Sequence, residues 1–223
     1  MPTPEHGVAG KLVLVAGATS TSGLAATRAL VSAGARVVAV GRDVDRLAPL
    51  VESGASVEVC DLGDETAVAA LGTRVHETHG PVDGVLHLVG GWRGGGGLAG
   101  QSDDDFTFLL GSLTALRHVS RAFDADLRAS DAGRLAIVSS TAVARPLAGG
   151  ANYAAVKAAS EAWARAVAQG FAKAARDAAA PLAAASVIFR VKSLAGLEGR
   201  LADALVGLWD TPATDINDQV IEL

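Results

Sequence analysis

The stretch "GGANYAAVKAAS" at residues 149–160 holds the only tyrosine of the chain, Tyr153, with Lys157 four positions later. Residues i and i+4 share one helix face, so phenol and ammonium point the same way. A free phenol titrates near pH 10, too high for efficient proton exchange near neutrality. Lowering it by about two to three pH units takes roughly 3–4 kcal/mol. An ammonium ~4 Å away contributes about 4 kcal/mol at an effective dielectric of ~20. A helix start adds positive potential, and Tyr153 follows Gly149 and Gly150 at such a start. Desolvation opposes these effects, yet a lowered Tyr153 pKa is the expectation. Ser140 ends the apolar run "RLAIVSS", thirteen residues before Tyr153. Singly, the three read as a helix-start tyrosine, a surface lysine and a strand-end serine. At this spacing they read as a proton-handling set.

Short apolar runs supply the frame: 11–17, 36–40, 56–60, 84–90, 134–140, 185–189 and 219–223. Most are continuously apolar, as strands covered on both faces must be. Helical patterns fill 22–33, 43–52, 64–78, 103–129, 152–179 and 198–208. This alternation predicts an α/β fold: one doubly wound Rossmann-type domain over 1–223 with a mainly parallel seven-stranded sheet. The loop "VGGWRGGGGLAGQS" leaves the carboxyl end of the fourth strand, where such folds bind ligands, and its glycines predict mobility.

Half of the 223 residues are apolar and 19% are charged, which suits a large core. A formal net charge of -5 points away from nucleic acid and anionic membranes. No apolar run is long enough to span a bilayer. The N-terminus "MPTPEHGVAG" lacks an apolar signal core, and Cys60 is the only cysteine, so a reduced, cytoplasmic setting is expected. His6, His76, His79, His87, His118 and Cys60 show no metal-ligand spacing, so no metal is expected. No nucleophile elbow suggests a hydrolase.

The segment 12–43 reads strand, turn, helix, strand. Gly17 and Gly23 would let the backbone approach a pyrophosphate, while the helix start offers free N–H groups. The same turn also occurs without a ligand. At the end of the second strand, where a carboxylate would bind an NAD ribose, stands Gly41, followed by Arg42. A guanidinium there can grip a 2′-phosphate, which favours NADP(H) over NAD(H); otherwise Arg42 is a solvated charge near Asp43 and Asp45. Asp61 and Leu62, past the third strand, either meet the adenine or simply enter the next helix.

The Gly-containing turn, Ser140 of "IVSST" and Tyr153-x-x-x-Lys157 together resemble the short-chain dehydrogenase/reductase family over nearly the whole chain. The resemblance implies that Tyr153 exchanges a proton with a carbonyl or alcohol oxygen as hydride moves to or from a nicotinamide. It also implies that Lys157 lowers the tyrosine pKa and holds the nicotinamide ribose, and that Ser140 orients the substrate oxygen. It implies a homodimer or homotetramer, with the Ala-rich faces of 103–129 and 152–179 available for packing.

Several family features are altered. Thr21 replaces the middle glycine of the turn, and hydroxyls of Thr19, Ser20, Thr21 and Ser22 are the expected compensation. Asn-Asn-Ala-Gly becomes His87-Leu88-Val89-Gly90, of which Gly90 keeps its cofactor role; His87 reads as a packed, satisfied imidazole. Ser112 falls where an asparagine holds a relay water, and a serine has shorter reach for that task. "FRVKS" replaces Pro-Gly, about ten residues (Arg190 to Gly199) join strand to helix, and the chain ends with the last strand. An open site follows unless "GGWRGGGG" folds over it, making Trp92 and Arg93 substrate contacts rather than an exposed loop pair. Two functions remain: an NADP(H)-dependent carbonyl reductase or alcohol dehydrogenase, or a catalytically weak NADP-binding sensor or assembly subunit.

Overall fold

The computed structural model describes residues 7–223; the expectations for residues 1–6, His6 included, lie outside them. Seven strands form one sheet: β1 (Leu12–Ala16), β2 (Arg36–Gly41), β3 (Ser56–Val59), β4 (Gly84–His87), β5 (Arg134–Ser140), β6 (Ala185–Val191) and β7 (Val220–Glu222). Their order is β3-β2-β1-β4-β5-β6-β7, and every pairing is parallel. The chain crosses from β3 at one edge to β4 beside β1. The carboxyl ends of β1 and β4 therefore diverge, and a crevice opens between them.

The eight α-helices among the described residues are α1 (Thr21–Ser32), α2 (Val44–Glu52), α3 (Glu65–His79), α4 (Asp103–Ala122), α5 (Asp124–Ala129), α6 (Ala151–Asp177), α7 (Glu198–Val206) and α8 (Ala213–Ile216). All five residues of β1 are buried, which explains its unbroken apolar sequence. Period-two geometry sends them to two layers. Val13 and Val15 pack with Leu30 of α1 and Leu205 of α7. Leu12 and Leu14 pack with Leu71 of α3, Val119 of α4 and Phe171 of α6.

Two expected elements are shorter. The helix over 103–129 breaks at Phe123, whose φ of -111° and ψ of 9° leave the helical region while its fully buried ring enters the core. The strand expected to reach residue 90 stops at His87, since neither neighbour pairs with it further. At the amino end of β5, Arg134 is only 3% exposed. It donates from Nε to Leu208 O (2.9 Å), from Nη1 to Gly133 O and Ala183 O (2.9 Å each), and from Nη2 to Thr211 O (3.0 Å). This guanidinium ties the sheet to the segment leading into α8.

Candidate active site

The carboxyl ends of β4, β5 and β6 and the N-terminus of α1 enclose a cavity of ≈ 1050 Å³. Of the residues singled out in the sequence, Ser20, Thr21, Ser22, Gly90, Trp92, Ser140, Tyr153 and Lys157 line it. Gly17, Thr19, Gly23, Arg42, Asp61, Leu62, Arg93 and Ser112 do not.

The first turn shows why two glycines are needed. Gly17 has φ +87°, and a Cβ there would sit 2.9 Å from the backbone of Leu88 as β4 ends. A Cβ on Gly23 would lie 2.5 Å from Gly17 O. Ser20 caps α1: its Oγ accepts from Gly23 N and donates to Gly17 O, both at 3.0 Å. Its hydroxyl thus holds the turn together, while Thr21 and Ser22 face the cavity at the helix start. Thr19 serves differently, because a Cβ on Gly41 would meet its Cγ2 at 2.8 Å. The methyl occupies the space into which a larger residue at the β2 end would grow. Arg42 is exposed there and makes no ion pair among the described residues. Arg46, overlooked in the sequence, donates from Nη2 to Thr19 O at 2.9 Å and brings a second guanidinium to the same turn. Its signal was its place in the first turn of the helix that follows β2. Asp61 is exposed and accepts from Gly63 N at 3.0 Å; Leu62 is buried, and its carbonyl faces His118 Nδ1 at 3.2 Å.

Tyr153 is the third residue of α6 and Lys157 lies one turn on. Lys157 Nζ is 5.9 Å from the phenol ring centroid and donates to Val138 O at 2.8 Å. The expected lowering of the phenol pKa is not found. Burial pushes Tyr153 up, and a hydrogen bond with the Ser140 side chain only partly offsets this. The ammonium, held on the carbonyl of β5, does not outweigh that burial. Burial also brings Lys157 down to about 8, against the pull of Glu161.

Glu161, one further turn along α6, is a group the sequence reading missed. It accepts from Ser139 Oγ at 2.7 Å and from Arg190 Nε and Nη2 at 2.8 and 2.6 Å. Burial raises its carboxyl, and the bonds from Arg190 and Ser139 outweigh that and keep it lowered. The signal was the repeat of four from Tyr153 through Lys157 to Glu161. Arg190 lies within β6, so the link to α7 is only residues 192–197, shorter than the expected ten.

Ser112 donates its hydroxyl to Leu109 O at 2.8 Å within α4, and its carbonyl faces His87 Nε2 at 3.1 Å. His87 is packed as expected but not satisfied, because its Nδ1 is buried without a partner. The loop after β4 is tied down despite its glycines. Gln101 Nε2 donates to Gly95 O, Gly97 O and Gly149 O at 3.0–3.2 Å, and its Oε1 accepts from Asn152 N at 3.1 Å. One amide thereby fastens the loop to the start of α6. Trp92, 64% exposed, lines the cavity mouth. Arg93 turns away, with its guanidinium 4.4 Å from the Phe108 ring centroid and 4.0 Å from Asp105.

Among the described residues no three His, Cys, Asp or Glu side chains form a metal-holding group, and no helix is long and apolar enough to cross a membrane.

Comparison with known proteins matches this arrangement. The chain is similar to a 2,3-dihydro-2,3-dihydroxybenzoate dehydrogenase of Bacillus subtilis, 30% identical over 161 residues, covering 69% of this chain and 61% of that protein. It is also similar to a 3beta-hydroxysteroid dehydrogenase of Mediterraneibacter gnavus, at 32% over 154 residues, 66% of this chain and 55% of that protein. The chain thus spans under two thirds of these curated relatives. Among solved structures, a short chain dehydrogenase from Pseudomonas syringae superposes with a TM-score of 0.84 at 22% identity, over 100% of this chain and 98% of that one. A metagenomic short-chain oxidoreductase in complex with NADP gives 0.80 at 27% identity, over 97% and 96%. Residues 11–176, from β1 to nearly the end of α6, match the short chain dehydrogenase family as a whole. By this match and its sheet order, the chain belongs to the short-chain dehydrogenase/reductase family of oxidoreductases.

Proposed function

We propose that this chain is an NADP(H)-dependent carbonyl reductase or alcohol dehydrogenase, with Tyr153 as its general acid and base. The observation that carries this reading is the convergence of Ser140, Tyr153 and Lys157 on the cavity that also receives the N-terminus of α1.

A dinucleotide fits the residues present. The α1 start can hold its pyrophosphate, and Gly17 keeps the floor of the turn free of a side chain. Gly41, closed in by Thr19, leaves no place for a ribose-binding carboxylate, while Arg42 and Arg46 stand ready for a 2′-phosphate. The NADP complex of the metagenomic relative accords with this preference. Gly90 lies against Lys157, with a Cβ there 3.6 Å from Nζ, which suits both to a nicotinamide ribose.

The bound cofactor supplies hydride. In reduction, Tyr153 donates its hydroxyl proton to the substrate oxygen while Ser140 donates a hydrogen bond to the same atom. The positive charge of Lys157 then stabilises the phenolate left behind. The phenol is protonated at neutral pH and can therefore give its proton in reduction. Exposed Phe106, Phe108 and Leu110 on α4 support a homodimer or homotetramer.

The test is NADPH binding followed by NADPH oxidation with a panel of ketones and aldehydes. Turnover with at least one carbonyl is expected. The second reading, a catalytically weak NADP-binding sensor or assembly subunit, is favoured by the raised Tyr153 pKa and the engaged Ser112 hydroxyl. Tight binding with no oxidation on any substrate would select it.

A further inference from the structure

We propose that His87 is a positioning residue for Lys157: its Nδ1 is the second hydrogen-bond acceptor of the lysine ammonium. The proposal rests on the role given above to Lys157.

His87 ends β4, is 5% exposed, and lies in the wall of the same cavity. Its Nε2 is 3.1 Å from Ser112 O. A carbonyl oxygen can only accept, so Nε2 carries the ring proton and Nδ1 of the neutral ring keeps its lone pair. Three buried side-chain atoms among the described residues lack partners: Thr27 Oγ1, Trp209 Nε1 and His87 Nδ1. Of these residues only His87 borders the cavity. A buried polar atom of this kind ordinarily finds a partner.

The complementary deficit is beside it. Lys157 has three N–H donors, and one is engaged, on Val138 O. His87 is close enough for the charge of Lys157 to act on it. Burial first, then that charge, bring His87 down to about 3, with the Ser112 contact opposing. Between pH 5 and 7, therefore, the imidazole is neutral and the ammonium charged, the two states that the bond requires. Of the charged or titratable groups, Tyr153 and Glu161 share α6 with Lys157, Arg145, Lys192 and Glu198 line the same cavity, and Arg190 of β6 is itself paired with Glu161. The part of α4 facing His87 supplies the uncharged Ser112 carbonyl. Both residues line the same cavity, so a reorientation of Nζ toward Nδ1, or one bridging water, would complete the bond. With Val138 O and His87 Nδ1 as two fixed acceptors, the ammonium is aimed rather than merely buried.

The test is ¹⁵N NMR of histidine-labelled full chain between pH 5 and 10. We expect His87 to stay neutral with Nε2 protonated, and its Nδ1 resonance to move as Lys157 titrates near pH 8. That movement should vanish in Lys157→Met. An Nδ1 resonance indifferent both to pH and to Lys157→Met would overturn the proposal. A pair of variants adds an independent reading. His87→Asn keeps an acceptor near the δ position, whereas His87→Gln keeps only a group near the ε position. The Gln variant should lower kcat by about tenfold or more and move the Lys157 midpoint down, with Asn within about threefold of wild type. Equal losses in both variants would count against it. A wild-type chain that oxidised NADPH with no carbonyl would contradict the enzyme reading, while the NMR experiment decides the His87–Lys157 bond on its own.

Discussion

Arg134 and Lys157 are both largely buried cations at opposite ends of β5, Arg134 from the strand itself and Lys157 reaching it from α6. At the amino end, Arg134 gives four N–H groups to four backbone carbonyls. At the carboxyl end, Lys157 has one such bond and faces a cavity. Burial lowers the pKa of both. The first cation has four of its five N–H groups engaged and holds polypeptide together. The second is under-bonded, which suits it to the role proposed for it, holding a cofactor hydroxyl and stabilising a charge that appears only during reaction. The fold tolerates this because Glu161, clamped by Arg190 and Ser139, sits one turn away and favours the charged amine.

The sharpest way to break the contrast is to replace each cation by methionine. Lys157→Met should reduce turnover by about 10²–10⁴-fold. Its thermal stability should stay level or rise, since an under-bonded buried charge is replaced by an apolar chain. Arg134→Met should do the opposite, losing about 3 kcal/mol of stability by orphaning buried carbonyls, with normal turnover per folded molecule. Thermal melts and specific activity on both variants decide the matter; matching losses would dissolve the distinction.

A smaller effect is expected at the rim. Arg42→Ala should weaken NADPH binding by about 10–100-fold and leave NADH within about twofold, because only the 2′-phosphate contact is lost. Equal weakening of both cofactors, measured by fluorescence titration, would refute the assignment. His87 adds a pH signature. It titrates near 3 when folded against an ordinary 6.5, so the unfolded chain takes up a proton first. Stability should fall as pH drops from 6.5 toward 3, by about 1 kcal/mol per pH unit, and His87→Asn should flatten that part of the profile in denaturant titrations. Least of all, Gln101→Ala should release the loop over 90–101 and raise KM about threefold with little change in kcat. An unchanged KM would mean the loop does not shape the substrate side.

The sheet and most helices were legible because hydrophobic period and length report burial directly, as the unbroken β1 run does. The break at Phe123 was not, because its ring enters the core through a backbone turn that the surrounding helical pattern conceals. Tyr153, Lys157 and Ser140 could be picked out because their spacing fits one helix face and a strand end. Their electrostatics could not, since the sequence gives no depth of burial, and desolvation reversed the expected pKa direction. Glu161 and the open Nδ1 of His87 escaped for a related reason: their partners Arg190, Ser139 and Ser112 come from other elements. Gln101 escaped too, because loop glycines signal freedom while one amide can remove it.

The proposed function stands or falls on whether Tyr153 moves the proton in this cavity. The direct test is Tyr153→Phe, read by NADPH binding and by single-turnover NADPH oxidation with a carbonyl that the wild type reduces. Cofactor affinity should stay within about twofold of wild type while the chemical step slows by about 10²–10⁴-fold. A Phe variant that turned over at the wild-type rate would contradict it.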